Sequence, residues 1–126
     1  MIDIEKKFPK GNLHLHAVPM GNDWCISVFG GDKPHIGAVS VAHPRASLED
    51  PAQISSTASL ITLTGHMKDL LARKLSLMLA ASLNCVVSVS MGIHIDHATL
   101  SEIQEIEALV KSMGEEMSER ACERAC

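Results

Sequence analysis

Residues 75–93 contain no Asp, Glu, Lys or Arg, and this stretch constrains the fold more than any other. It is almost long enough to cross a bilayer. Ser76, Ser82, Asn84, Ser88 and Ser90 punctuate it, however, and at Asn84 the pattern changes from helix-like to the alternating Val-Ser-Val-Ser of a strand. Two consecutive buried elements account for it better than a membrane span. A helix that is apolar almost all round must pack on a sheet on one side and on a second helix or a second subunit on another.

The rest of the chain supplies those partners. Residues 12–18 and 24–29 read as two strands joined by the turn residues Pro19-Met20-Gly21-Asn22-Asp23, with His14 and His16 on one face. Gly30-Gly31-Asp32-Lys33-Pro34 breaks the pattern, and residues 36–42 resume as a strand with Gly37 near its start. A polar, proline-bounded connection over 43–51 leads to a strand at 56–63. At Thr64-Gly65-His66 the period switches, and Met67, Leu70, Leu71, Leu75, Met78 and Leu79 follow at helical spacing. Residues 86–91 form the fifth strand. Thr99-Leu100-Ser101-Glu102 is a capping box, and Ile103, Ile106, Leu109, Val110 and Met113 give the second helix one apolar stripe. Gly114 is expected to weaken or end that helix before a charged tail over 115–126. The expected fold is α+β: a five-stranded, mostly antiparallel mixed sheet with two helices packed on it, in the order β-β-β-β-α-β-α, forming one domain over 1–126.

Composition narrows the function classes. With 126 residues and 46% apolar content the chain can build a globular core. A net charge of −4 offers no basic footprint for nucleic acid or for an anionic membrane surface. The first residues lack the basic region, apolar run and cleavage site of an export signal, so a cytoplasmic protein is expected. Cys25, Cys85, Cys122 and Cys126 have neither zinc-knuckle nor disulfide-framework spacing, and reduced thiols are the default. Cys122 and Cys126 close a tandem Glu-Arg-Ala-Cys repeat and would share a helix face, a geometry open to a metal but more simply a helical tail.

Three histidines occupy similar local settings. His35 follows a Gly-Gly-Asp-Lys-Pro run, His66 follows Gly65, and His94 follows Gly92-Ile93, each at a strand end. Glycine lets a ligand approach the backbone, and an imidazole can donate to phosphate, bind metal or move a proton. Taken singly, each reads more simply as a surface loop residue, and it is the repetition that points to a site. Thr64-Gly65-His66 at a helix start suits an anion, or Thr64 simply caps the helix. Lys33 and Arg45, both in expected loops, and Arg73 add cations for a phosphate or carboxylate, or are solvated surface charges. His94 and His97 around Asp96 raise a three-histidine zinc site as an alternative, whereas Asp96 more plainly turns the chain or orients a histidine. No nucleophile elbow, phosphate loop, dinucleotide fingerprint or zinc-protease motif is present, and no catalytic residue is assigned.

The segments from Gly30 to Val39, Leu63-Thr64-Gly65-His66 and Gly92-Ile93-His94-Ile95-Asp96, in this order and spacing, resemble the hallmark stretches of the LpdD-like family, the small D component found with gallate-type decarboxylases. The resemblance runs from about residue 24 to 109. It implies a chaperone that binds prenylated FMN, protects or matures it, and delivers it to a UbiD-type decarboxylase without itself decarboxylating. FMN would bind more weakly. It further implies that His35, Gly65, His66 and His94 line the cofactor pocket, with the phosphate at the helix start. Lys33, Gly37, Arg45 and Asp96 complete the expected binding set. Thr64 stands where the family pattern has Pro, and His97 where it has Asn. A homo-oligomer with the cofactor at the subunit interface would serve the apolar helix. A non-catalytic structural subunit of the decarboxylase and a small zinc protein remain alternatives.

Overall fold

A computed structural model describes the backbone of residues 1–63 and 68–125, and the side chains of 1–63 and 70–123. Six strands and two helices follow one another: β1 (Ile2–Phe8), β2 (Gly11–Met20), β3 (Asp23–Gly31), β4 (Ala38–Ala46), β5 (Ile54–Thr62), α1 (Lys68–Leu83), β6 (Val87–His94) and α2 (Leu100–Ala125). They form one sheet in the order β1-β2-β3-β6-β4-β5. β6 enters between β3 and β4, parallel to the first and antiparallel to the second. This insertion explains the charge-free stretch. Its first half is the inward part of α1, with Leu75, Leu79 and Ala80 buried, and its second half is a central strand in which Val87, Val89 and Met91 are wholly buried.

The α+β class holds, but the sheet has six strands where five were expected. The additional one is β1, antiparallel to β2 from Ile2↔Ala17 to Phe8↔Gly11. Ile2, Ile4 and Phe8 are buried and alternate with Asp3, Glu5 and Lys7. Lys6 interrupts the apolar phase. Its stem lies along the core margin and its ammonium reaches Glu116 of α2 at 3.3 Å.

Most strand ends shift by a few residues, β3 running on through Gly30 to Gly31 and β6 reaching His94 where 91 was expected, and two boundaries move further. β4 runs to Ala46, through the segment expected to be a loop from His43 onward. Pairing with β6 ends at Ala42↔Val87, so Pro44 faces β5 alone and its missing N–H costs the ladder nothing. α2 continues through Gly114 to Ala125, where an end near Gly114 was expected. Met113, Met117 and Ala121 extend the buried stripe of Ile106 and Val110 against the sheet. Burying each methionine contributes roughly 1.5–3 kcal/mol, enough to hold the extra turns. Gly114 is a contact residue: a Cβ there would lie 2.6 Å from Leu75 and Met78 of α1.

Both helices lie on one face of the sheet, α1 over β4, β5 and β6, and α2 over β1 and β2. Inside that layer Ser40 and Ser76 satisfy each other at 2.7 Å, and Ser76 also donates to the Arg73 carbonyl. The capping box forms as expected, Thr99 N–H donating to Glu102 Oε1 at 2.9 Å and Glu102 N–H to Thr99 Oγ1 at 3.1 Å. On the opposite sheet face His14 and His16 point the same way, His14 stacked on Phe29 and His16 paired with Asp3. No described helix is long and apolar enough to cross a membrane.

Candidate functional site

β3 and β6 form a parallel pair, and their carboxyl ends, Gly31 and His94, lie side by side. Segment 31–37 leaves β3 there and folds back to start β4. Two backbone features force its path. Gly31 has φ +81°, and a Cβ on it would meet the His94 carbonyl oxygen at 2.3 Å. Gly92 lies directly beneath the His35 carbonyl, which a Cβ would approach to 1.3 Å, so no larger residue fits under this loop. Glycine thus acts here by admitting protein backbone, where the sequence suggested room for a ligand.

Asp32 stitches the two segments together. Its N–H donates to the His94 carbonyl at 2.7 Å, and its Oδ2 accepts from the Asp96 N–H at 2.9 Å. Nothing in the sequence marked Asp32 apart from its place after Gly30-Gly31. Further along, Gly37 N–H donates to the Met91 carbonyl and the Gly37 carbonyl accepts from Leu63 N–H, both at 2.9 Å. The end of β5 is therefore tied to the same place, and the chain passes from Leu63 directly into residues 64–67.

This framework brings His35 and His94 together, ring centroids 6.3 Å apart in an edge arrangement. His35 Nδ1 lies 3.0 Å from the Lys33 carbonyl and His94 Nε2 lies 2.8 Å from Asp96 Oδ1. A carbonyl and a carboxylate oxygen only accept, so each imidazole donates there. Its second nitrogen, Nε2 of His35 and Nδ1 of His94, has no hydrogen-bond partner among the described residues. The hydrogen bond from His94, then the charges of Lys33, His94 and His97, hold the Asp96 carboxyl below its ordinary range. Lys33 thus belongs to the same electrostatic cluster. His94 is 37% exposed, positioned by Asp96 yet open to solvent. Exposed aliphatic groups border the site: Ile36 at 60%, Ile61 at 64% and Leu63 at 63%. Sequence reasoning missed all three as contact candidates; the signal was their place beside the histidine-bearing turns.

Five of the eight expected binding residues, Lys33, His35, Gly37, His94 and Asp96, meet at this end of the sheet. Gly65 and His66 lie outside the described residues, so the expectation of an anion site at the start of α1 is left there. The expected loop position of Arg45 is corrected, and it lies apart from these five. It stands in β4, seven residues beyond Ala38 and so about 23 Å along the strand, past the opposite end of β6. Its guanidinium donates to Thr57 Oγ1 at 2.7 Å and to the Ala46 carbonyl at 3.0 Å.

The arrangement offers a surface for a planar ligand with an anionic arm: a cation and two imidazoles with a free nitrogen each, beside an aliphatic rim. Its aromatic rings are the two imidazoles, with Phe29 beside Gly92 in the register but stacked on His14, and Trp24 at the other end of β3. Among the described residues no three His, Cys, Asp or Glu side chains converge to hold a metal. The family model of the prenylated flavin chaperone LpdD-like domain matches residues 7–122. No curated protein matches the chain.

Proposed function

The chain belongs to the prenylated flavin chaperone LpdD-like family, and from that premise we propose that it binds prenylated FMN at the carboxyl end of β6 and hands it to a UbiD-type decarboxylase. The observation that carries this reading is the convergence of Lys33, His35, His94 and Asp96 on one exposed patch, built by loops that glycine lets pack closely. These residues fit a flavin. Lys33 and the available imidazole nitrogens suit the phosphate or the polar edge of the ring, and Ile36, Ile61 and Leu63 suit its apolar face. The flavin, when bound, carries the redox and electrophilic chemistry, which belongs to the recipient enzyme.

Handover is as important as binding. A carrier that stacks aromatic rings on both faces of its cargo would hold it too well, because each such contact must be broken before transfer. Aliphatic contacts and a half-exposed histidine pair limit affinity while keeping orientation. In this reading Gly65 and His66 add contacts from the segment that begins at Leu63. The protein performs no decarboxylation, acts in the cytoplasm and works as a homo-oligomer.

Anaerobic titration with reduced prenylated FMN, and with FMN for comparison, tests the binding. Saturable binding of the prenylated form, tighter than that of FMN, is expected. The loaded protein should then activate a UbiD-type apo-decarboxylase faster than the same concentration of free cofactor. Absence of binding by either flavin would remove the proposal.

A further inference from the structure

The sheet face opposite the helices carries a second group of ionisable side chains, on strands that do not hold the His35 and His94 cluster. His14 and His16 stand two residues apart on β2 and project from this face together. β1 sets a carboxylate across from each, Asp3 pairing with His16 and Glu5 with His14. These four side chains, with Phe29, line a depression of about 310 Å³. His16 Nδ1 donates to Asp3 Oδ1, and His14 Nδ1 faces Glu5 Oε2 at 3.9 Å. Glu5 is itself held, its Oε1 accepting from Asn12 Nδ2 at 2.7 Å. The His14 ring lies almost parallel to that of Phe29, centroids 5.1 Å apart, which fixes its plane.

We propose that His14 and His16 chelate one late first-row divalent cation through their Nε2 atoms, with Asp3 and Glu5 behind the rings and water in the remaining coordination positions. The site does not rest on flavin binding. A carboxylate only accepts, so the proton of the neutral His16 ring sits on Nδ1 and the Nε2 lone pair points away from Asp3. Glu5 biases His14 the same way. Neither Nε2 has a hydrogen-bond partner among the described residues. A ligating imidazole backed by a carboxylate on its other nitrogen is the arrangement that fixes ring orientation and raises ligand basicity.

Strand geometry suits the chelate. Alternate residues of a strand are about 6.8 Å apart, and a metal about 2 Å from each nitrogen asks for the two nitrogens about 3 Å apart. Two imidazoles leaning together along β2 cover that difference. As ion pairs alone the four groups would contribute little, because their side chains are 40% to 69% exposed. Each histidine would also need a proton of its own to complete a pair, whereas one divalent cation serves both rings and offsets both carboxylates. Imidazole nitrogen selects nickel, copper or zinc over magnesium and calcium, which prefer oxygen.

Isothermal titration of the reduced, tag-free full chain with Ni²⁺ tests the site. One saturable site per chain is expected, with Cu²⁺ binding tighter and Mg²⁺ failing to compete. His14→Gln and His16→Gln should each weaken Ni²⁺ binding by about tenfold or more, since a single imidazole cannot chelate. Asp3→Ala keeps both ligands and removes the orienting carboxylate, and should weaken binding about tenfold. These side chains are exposed or half-buried, so the variants should fold, as circular dichroism can verify. A natural chain that binds no Ni²⁺ overturns the proposal. So does binding that persists in both histidine variants, or that is lost in His35→Gln or His94→Gln instead, and unchanged affinity in Asp3→Ala overturns the role given to that carboxylate.

Discussion

The two ends of β6 carry similar kinds of polar group in different arrangements. At the carboxyl end, His35 and His94 each use one ring nitrogen on a local acceptor and have no further partner for the other among the described residues, with Lys33 alongside. At the amino end the described bonds run within the fold. Asp23 Oδ1 accepts from Val86 N–H at 2.9 Å, Trp24 N–H donates to the Val86 carbonyl at 3.1 Å, and Arg45 gives two of its five N–H groups to Thr57 and Ala46. Cys85 lies there too, buried, its thiol pushed up first by burial and then by the negative charge of Asp23, so it stays protonated and unreactive. What separates the ends is therefore the convergence of two imidazoles, a lysine and a carboxylate on segments held in place by backbone, more than the count of polar residues.

The largest test of that contrast is Gly92→Ala. A Cβ aimed at the His35 carbonyl displaces segment 31–37, and a stability loss of about 3 kcal/mol in chemical denaturation is expected, with flavin binding abolished. Asp32→Ala removes the carboxylate that holds Asp96 N–H but leaves both glycine contacts. It should cost about 1 kcal/mol of stability and weaken flavin binding about tenfold in an equilibrium titration. His35→Gln and His94→Gln should each weaken binding by a similar factor of about ten while leaving the thermal midpoint near that of the natural chain. Arg45→Gln should leave flavin affinity unchanged, and an equal loss there would erase the distinction between the ends.

The smallest effect is in the acid limb. The folded Asp96 carboxyl titrates below its unfolded value, so its contribution is present at neutral pH, above the unfolded pKa. It is lost as pH falls through the folded pKa. Asp96→Asn should therefore melt slightly below the natural chain at pH 7, and the two melting curves should converge as the pH drops below about 4.

Much of this molecule is readable from residue order. The β2–β3 hairpin, the capping box at Thr99 and the switch from α1 to a central strand at Asn84 rest on local chemistry, and local chemistry is what a sequence displays. The failures are tertiary. β1 is masked by Lys6, whose apolar stem and paired ammonium replace the expected apolar side chain. Gly114 looks like a stop until Leu75 and Met78 are seen against it, and the stripe through Met117 and Ala121 then explains the longer helix. The site shows the same division. The histidine-bearing turns at 35 and 94 are marked by their glycines, but Lys33 and Arg45 look alike in a sequence. Only the sheet order, which pairs Ala38 with Met91 and Ala42 with Val87, sends them to opposite ends. Asp32 was invisible because its role is to bridge two segments more than sixty residues apart.

Hydrogen exchange measured with and without reduced prenylated FMN tests the central claim most directly. Slowed exchange in peptides covering 31–37 and 92–97, with none over 43–46 or 84–87, is the predicted result. Protection confined to the Arg45 end, or spread over neither, would contradict it.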